Sequence, residues 1–249
     1  MKTPKKQDSK MVLLLHGFRG TKEGLEDVAK ALEKQGLKVF APDLPPFGEA
    51  GALAEYTPES YADFVADYIR QKRLKKPVLI GHSMGSIIAA ATAAQHADKV
   101  ANKLVLLAPI SARPPKVFTN MAPLIAIAPS DLVTLACTVY LKSTKDIDQF
   151  AEMLAVSCLS GREFTSRTDV RKAAKFSMRY QVGDFDFRQN TLLLAGNKDR
   201  LIKKEETEKL AEELRKRGEK CQAEFLLGEG HLLNYEAPEL VAEKIVKFI

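Results

Sequence analysis

Short apolar runs alternate with amphipathic segments along most of the chain. The runs that predict strands are Met11 to Leu15, Leu37 to Ala41, Pro77 to Ile80, Lys103 to Leu107, Thr191 to Ala195 and Gln222 to Leu227. Most of them are rich in Val, Leu and Ile and do not alternate with polar residues, as is typical of strands buried on both faces of a parallel sheet. The pattern therefore predicts an α/β fold with a mostly parallel sheet of about six strands flanked by helices.

The segments between the runs have helical faces and recognisable ends. Thr57 is a predicted N-cap and Pro58 the first residue of a helix, and Gly36 is a predicted helix stop. Residues 86–94 are small, so their helix can lie close against a sheet. The apolar positions of the remaining helices are Leu25, Val28, Ala29 and Leu32; Tyr61, Phe64, Val65, Tyr68 and Ile69; Leu210 and Leu214; and Leu240, Val241, Ile245 and Phe248.

Residues 110–188 break the alternation. This stretch contains no run with strand character, and its several prolines are followed by helical segments. These segments lie around Leu132 to Leu141, Ile147 to Cys158 and Val170 to Tyr180. Because structureless loops of this length are rare, we expect a helical lid. The lid is inserted between two parts of a core, residues 11–109 and 189–249, and residues 1–10 form a polar basic tail.

Composition narrows the class of protein. The 249 residues are 45% hydrophobic and 28% charged, which excludes a disordered or collagen-like chain. Half of the formal net charge of +6 lies in the tail, which could contact nucleic acid or an anionic membrane. We expect a solvated terminus and no nucleic-acid partner. The three cysteines, which form no CxxC pair, indicate reduced thiols in a cytoplasmic protein.

The sequence lacks both a long apolar stretch and a metal-binding cysteine pattern. No stretch of 18 apolar residues exists, so we expect no transmembrane segment. The spacing of the cysteines is not that of a zinc site, and we expect neither a metal nor a cofactor. The expected partner is a small-molecule substrate, and the oligomeric state is left open.

The strongest local motif is the G-x-S-x-G segment at residues 81–85. It follows a predicted strand and precedes a predicted helix, which is the setting that places a nucleophilic serine on a sharp, strained turn. Ser83 is therefore the candidate nucleophile. The alternative is an ordinary strand-to-helix turn with a capping serine, and the other parts of a hydrolytic site favour the nucleophile.

A nucleophilic serine needs a general base, and the chain has four histidines. His16 lies at a strand end, His82 adjoins the serine and should point elsewhere, and His96 follows a helix. His231 remains, in a glycine-containing loop between the last strand and the last helix, where it can reach the ends of the strands.

The base in turn needs a carboxylate to orient it. Asp199 is the best candidate because it follows the run Thr191 to Ala195, and ligands gather at the carboxyl ends of strands in open α/β sheets. Asp184 and Asp186, near the end of the insertion, are the competing carboxylates. The chain order Ser, Asp, His on three strand ends favours Asp199.

Acyl transfer also needs two N–H donors for the developing oxyanion. The segment His16 to Gly20 follows the first predicted strand, and its glycines allow the backbone to bend toward the site. The backbone N–H groups of Phe18 and Met84 are the predicted oxyanion-hole donors.

Together these segments resemble the α/β-hydrolase family, in particular its lidded serine esterases and lipases of the AB hydrolase-1 type. The segments that match are His16 to Phe18, Ala41 to Pro45, residues 81–85, residues 196–199, Gly230-His231 and Glu236 to Glu239. The resemblance implies a triad of Ser83, Asp199 and His231 and a structural role for Asp43. Two departures are visible: the oxyanion motif begins after only ten residues, so the usual first two strands are missing, and Ser86 stands where many relatives have a second glycine. We expect Ser86 to change the packing under the turn and not the chemistry.

The fold hosts many reactions, so the activity has to be argued from the site. A serine nucleophile argues against dehalogenase and epoxide-hydrolase chemistry, for which the family uses a carboxylate. The main interpretation is hydrolysis of small, lipophilic carboxylic esters through an acyl-enzyme. A thioesterase, a C–C bond hydrolase, a cofactor-free perhydrolase and a non-catalytic ligand-binding receptor remain as alternatives.

The apolar half of the insertion is the expected place of the acyl pocket. Its predicted lining residues are Phe118, Leu124 and Ile125. An apolar stripe of this kind is explained equally well as the lid's own core.

Overall fold

The computed structural model describes residues 10–113 and 166–249, which form a six-stranded parallel sheet with helices on both faces. The strands lie in the order β2-β1-β3-β4-β5-β6, and every neighbouring pair is parallel. Their bounds are β1 (Met11–Leu15), β2 (Lys38–Phe40), β3 (Val78–His82), β4 (Lys103–Leu107), β5 (Asn190–Gly196) and β6 (Cys221–Leu226).

Seven α-helices and two 3₁₀ turns lie between and after the strands within the described ranges. The helices are α1 (Glu26–Lys34), α2 (Pro58–Gln71), α3 (Met84–Gln95), α4 (Arg167–Arg179), α5 (Lys204–Lys216), α6 (Leu233–Glu236) and α7 (Pro238–Phe248). The 3₁₀ turns cover Lys22–Leu25 and Val182–Asp184.

All six predicted strands are present, and the predicted fold class is confirmed. The apolar residues of β1, β3, β4 and β5 are buried on both faces, as their unalternating sequences predict. The edge strands β2 and β6 are more exposed. The main difference in bounds is at β3, which continues two residues beyond the predicted end, so that His82 is the last residue of the strand.

The predicted helix signals also have their expected structures, with one exception. The Thr57 side chain accepts a hydrogen bond from the Ser60 N–H at 3.2 Å, so it caps α2. Gly36, beyond the end of α1, has φ +84°. Leu240 was expected on the buried face of α7 but is 38% exposed. The buried residues of α7 are its neighbours Val241, Ala242 and Ile245, and successive helical positions point about 100° apart.

The described part of the insertion consists of its two ends, residues 110–113 and 166–188, which we call its stems. Helix α4 lies where a helical segment was predicted, and its Phe176 ring packs 4.6 Å from that of Tyr61 on α2. Residues 114–165 lie outside the described residues, and with them the predicted pocket residues Phe118, Leu124 and Ile125. The lid therefore stays a prediction. In residues 10–113 and 166–249, no helix has both the length and the apolar character needed to cross a membrane.

Candidate active site

Ser83 occupies the single position between β3 and α3. Its backbone has φ 52° and ψ −117°, a conformation that residues with a side chain rarely adopt. The Ser83 N–H donates to the Leu107 carbonyl of the neighbouring strand at 3.0 Å. The serine thus sits on a sharp strand-to-helix turn of the kind its motif predicts.

The two glycines of the motif are required by close backbone contacts. A Cβ atom at Gly81 would lie 2.2 Å from the Gly85 carbonyl oxygen. A Cβ atom at Gly85 would lie 2.2 Å from the carbonyl oxygen of Leu15 on β1. Any side chain at either position would therefore push the turn away from the sheet.

His231 links Ser83 to Asp199 through both nitrogens of its ring. Its Nε2 lies 2.9 Å from the Ser83 Oγ, and its Nδ1 lies 2.8 Å from Asp199 Oδ2. All three residues are buried. Because a carboxylate can only accept, the proton of the neutral ring is on Nδ1, which leaves Nε2 to accept a hydrogen bond from the Ser83 hydroxyl.

The carboxylate of Asp199 is held by the loop that follows β5. Its second oxygen, Oδ1, accepts hydrogen bonds from the N–H groups of Leu201 at 2.8 Å and Ile202 at 2.9 Å. Burial raises the pKa of this carboxyl, but the electrostatic interaction with His231 and the three hydrogen bonds outweigh burial and bring the pKa below its ordinary value. Asp199 is therefore ionised at neutral pH.

The two competing carboxylates bond elsewhere. Asp184 receives two hydrogen bonds from the guanidinium of Arg113, at 2.9 and 3.1 Å. Asp186 pairs with Arg188 at 3.3 Å. Of the three carboxylates that the sequence offers for this position, the structure brings Asp199 to His231.

The loops that carry Asp199 and His231 are joined to each other. The Lys198 N–H donates to the Glu229 carbonyl at 2.8 Å, and the Gly228 N–H donates to the Asn197 side chain at 2.8 Å. A Cβ atom at Gly196 would lie 2.3 Å from the carbonyl oxygen of Glu229. The glycine at the end of β5 thus permits the close approach that places Asp199 beside His231.

The predicted oxyanion donors lie on two segments that meet at Ser83. Residues 17–20 form a turn closed by a hydrogen bond from the Gly20 N–H to the Gly17 carbonyl at 3.0 Å. A Cβ atom at Gly17 would lie 3.2 Å from the Ser83 Cβ, so this turn runs directly against the serine. Phe18 follows in the turn, and its ring packs edge-on against Phe47.

Met84 approaches the same place from the helix. It is the first residue of α3, and its N–H therefore has no acceptor within the helix. The assignment of the Phe18 and Met84 N–H groups as an oxyanion hole remains a prediction.

His16 has a structural task that the sequence did not reveal. Its Nε2 accepts the Leu44 N–H at 2.7 Å, and its Nδ1–H donates to the Gly17 carbonyl at 2.8 Å. Burial lowers the pKa of this ring to about 4. The neutral ring fixes the turn of residues 17–20 to the segment after β2.

His82 contacts the backbone of His231. Its Nε2–H donates to the backbone carbonyl of His231 at 2.9 Å, across 149 residues of sequence. Burial, and in second place the electrostatic interaction with His231, lower the pKa of His82 to about 3, so the His82 ring is neutral at neutral pH. The motif places His82 beside the serine, but no local pattern indicates its distant partner.

Asp43, to which the resemblance assigns a structural role, joins two loops. Its carboxylate accepts the N–H groups of Lys22 at 2.8 Å and Glu49 at 3.0 Å, and it is also paired with the Lys22 side chain. A Cβ atom at Gly48, which has φ +56°, would overlap this carboxylate. These contacts agree with a structural role.

The sequence family follows from comparison with known proteins. A family model described as "Serine aminopeptidase, S33" matches residues 6–237, which is most of the chain. The chain belongs to this S33 family of α/β-hydrolases. This match confirms the family resemblance.

Relatives of this S33 chain are named as hydrolases. It is 28% identical to "Putative esterase/lipase 2" of Mycoplasma pneumoniae, over 95% of this chain and 88% of the relative. It is 27% identical to "Uncharacterized hydrolase YugF" of Bacillus subtilis, over 96% and 89% of the two chains. Among solved structures, a thermophilic esterase from Thermogutta terrifontis superposes with a TM-score of 0.79 at 25% identity, over 96% of this chain and 89% of the other. These relatives support an enzyme of the carboxylic ester hydrolase class, as the sequence predicts.

Proposed function

We propose that this protein hydrolyses carboxylic esters through an acyl-enzyme, with Ser83 as nucleophile, His231 as general base and acid, and Asp199 as the group that orients His231. The observation that carries the proposal is the unbroken series of hydrogen bonds Ser83 Oγ to His231 Nε2, at 2.9 Å, and His231 Nδ1 to Asp199 Oδ2, at 2.8 Å. Nucleophile, base and orienting acid at these distances are the geometry of an activated serine.

In this arrangement His231 can accept the proton of Ser83 and later donate it to the leaving alcohol. His231 Nε2 takes the proton of Ser83 as Oγ bonds to the ester carbonyl carbon, and Asp199 stabilises the imidazolium. The Phe18 and Met84 N–H groups stabilise the oxyanion of the tetrahedral intermediate. The intermediate collapses when the C–O bond to the alcohol breaks and His231 returns the proton to the leaving alcohol. Water then attacks the acyl-enzyme by the same route and releases the acid and free Ser83.

The proposed substrates are small esters with a lipophilic acyl group. The names of the relatives, esterase and lipase, support the ester class. The acyl pocket is proposed to lie in the inserted lid, at Phe118, Leu124 and Ile125. Because one methylene more or less in a pocket changes discrimination by about 1–3 kcal/mol, Leu124→Ala should shift the preferred acyl length and leave acetate hydrolysis within about tenfold. An unchanged length preference would make this stripe the core of the lid.

The test is hydrolysis of p-nitrophenyl esters of graded acyl length by the full chain and by Ser83→Ala. We expect turnover by the wild-type protein and a loss of about 10⁴-fold or more in Ser83→Ala. Ser177→Ala is the matched control, because the Ser177 hydroxyl donates to the Ala173 carbonyl within α4 and lies outside the proposed site. Hydrolysis by Ser83→Ala at the wild-type rate would contradict the proposal.

The same panel separates the other reactions that an activated serine can perform. It includes an acyl thioester, and an amino-acid p-nitroanilide because the family description names an aminopeptidase. Preference for the thioester or the anilide by more than tenfold in kcat/KM would replace the ester as substrate class. A protein that binds esters tightly without releasing p-nitrophenol would be a receptor.

A further inference from the structure

We propose that Ser86 is a positioning residue: its hydroxyl fixes the peptide that carries the Met84 N–H and ties the turn at Ser83 to the stems of the insertion. This inference rests on the proposed function of Ser83 and Met84. It differs from the sequence-based expectation that Ser86 alters only the packing under the turn.

The Ser86 hydroxyl is fully buried and has two backbone partners on different elements. It donates to the Ser83 carbonyl at 2.5 Å and accepts the Ile110 N–H at 3.1 Å. The Ser83 carbonyl also accepts the backbone N–H of Ser86 at 2.8 Å. A glycine at this position would leave the Ile110 N–H without this partner and the Ser83 carbonyl with one donor fewer.

The first of these bonds acts on the proposed oxyanion hole. The carbonyl of Ser83 and the N–H of Met84 belong to the same peptide, which is planar and trans. Holding the oxygen at one side of this plane therefore fixes the direction of the N–H at the other side. The backbone of Ser83 is strained, with φ 52°, so the orientation of this peptide depends on groups outside it.

The second bond reaches the insertion. Ile110 is the first residue of the segment predicted as lid, and its carbonyl accepts the N–H of Val182 at 2.9 Å. Residues 110 and 182 belong to the two ends of the insertion. The hydrogen bonds thus run from the Ser83 carbonyl through Ser86 and Ile110 to Val182, and they join the turn to both stems.

Serine hydroxyls in helices often bond to a carbonyl of the preceding turn without any functional consequence. Thr92 provides that ordinary case on the same helix: it is fully buried, and its hydroxyl donates to the Ile88 carbonyl at 2.8 Å. Thr92 is therefore the matched control for the loss of a buried hydroxyl from α3.

The experiment measures kcat and KM for p-nitrophenyl acetate in Ser86→Ala, Ser86→Gly, Ser86→Thr and Thr92→Val. We expect kcat to fall by about three- to tenfold in the Ala and Gly variants with KM unchanged, because a hydrogen bond of ordinary net strength is lost from a group that acts in the transition state. Ser86→Thr, which keeps the hydroxyl, should recover most of kcat, and Thr92→Val should retain wild-type kinetics.

A second readout addresses the link to the insertion. Amide hydrogen exchange at Ile110 should be faster in Ser86→Ala than in the wild-type protein and unchanged in Thr92→Val. Unchanged exchange at Ile110 in Ser86→Ala would overturn the link to the stems.

The outcomes keep this inference apart from the proposed function. If Ser83→Ala is inactive but Ser86→Ala and Ser86→Gly have wild-type kcat, the role of Ser86 is refuted and the proposed function stands. An equal loss of kcat in Thr92→Val would also refute it, because the effect would then be general to buried hydroxyls of α3. If Ser83→Ala hydrolyses esters normally, the proposed function fails, and the role of Ser86 fails with it.

Discussion

Replacing Asp199 by asparagine exchanges one carboxylate oxygen for an NH₂ group. We expect this exchange to lower kcat by about 10⁴-fold. Oδ1 of Asp199 accepts two backbone N–H groups, from Leu201 and Ile202. The amide oxygen of the substituted side chain should keep these two bonds, since the reversed orientation would forfeit both, at about 1 kcal/mol each, and place donors against donors. The amide NH₂ then faces His231 Nδ1.

The consequence is a change of tautomer. With a donor opposite Nδ1, the imidazole must carry its proton on Nε2, the atom that lies 2.9 Å from the Ser83 Oγ. Nε2 then can no longer accept the serine proton, and the imidazolium has lost its counter-charge. A 10⁴-fold loss corresponds to about 5 kcal/mol of transition-state stabilisation.

The assay is p-nitrophenyl ester hydrolysis at neutral pH, with thermal unfolding to verify the fold of the variant. Asp184→Asn is the control, because Asp184 competed for the same role in the sequence and is paired with Arg113 instead. The reasoning is refuted if Asp199→Asn retains kcat within tenfold of the wild-type value, or if Asp184→Asn loses as much activity as Asp199→Asn.

Three further predictions concern the groups around the site. The pKa of His16 is lowered from its usual 6.5 to about 4, so the contribution of this neutral ring to the free energy of unfolding should be fully present above pH 6.5. As the pH drops to 4, protonation of His16 should lower the free energy of unfolding by about 3 kcal/mol. Urea titrations should show a shallower fall with pH in His16→Gln, and an equal fall in the variant and the wild-type protein would contradict this linkage. His82→Ala removes the hydrogen bond to the His231 carbonyl and should lower kcat about fivefold. His96→Ala, whose ring bonds to Asp63 instead, should leave kcat unchanged. Equal kinetics in the two variants would exclude a positioning role for His82. Gly196→Ala should destabilise the fold by about 2 kcal/mol and slow hydrolysis, because the added Cβ would overlap the backbone of the loop that carries His231. Gly183→Ala should unfold within a few degrees of the wild-type Tm, because the nearest atom to its added Cβ is 3.5 Å away. Equal Tm values for the two variants would contradict this steric argument.

The sequence predicts the sheet and the place of the site because both follow from local patterns. Runs of Val, Leu and Ile mark strands that parallel neighbours bury on both faces. The turn at Ser83 and the loops at Asp199 and His231 follow three of these strands, and parallel strands end at one edge of the sheet. The choice of Asp199 over Asp184 could be argued from chain order, but the structure was needed to see Arg113 on the competing carboxylate.

The contacts between distant segments could not be predicted in this way. The backbone partner of His82 lies 149 residues away in sequence, and the more distant of the two partners of the Ser86 hydroxyl, the Ile110 N–H, lies 24 residues away. Neither pattern nor propensity specifies which distant backbone carbonyl or N–H a buried polar side chain will meet. Leu240 shows a smaller limit: an apolar residue at the border of a helical face can be buried or exposed, and the packing of α7 against α1 decides it.

Labelling with a fluorophosphonate tests the central claim most directly, because this reagent phosphonylates an activated serine whatever the natural substrate is. Intact-protein mass spectrometry followed by peptide mapping should show one phosphonyl group per chain, on the peptide that contains Ser83. Labelling should be abolished in Ser83→Ala and slowed strongly in Asp199→Asn. An unlabelled wild-type protein, or a label on another residue that persists in Ser83→Ala, would contradict the assignment of Ser83 as nucleophile.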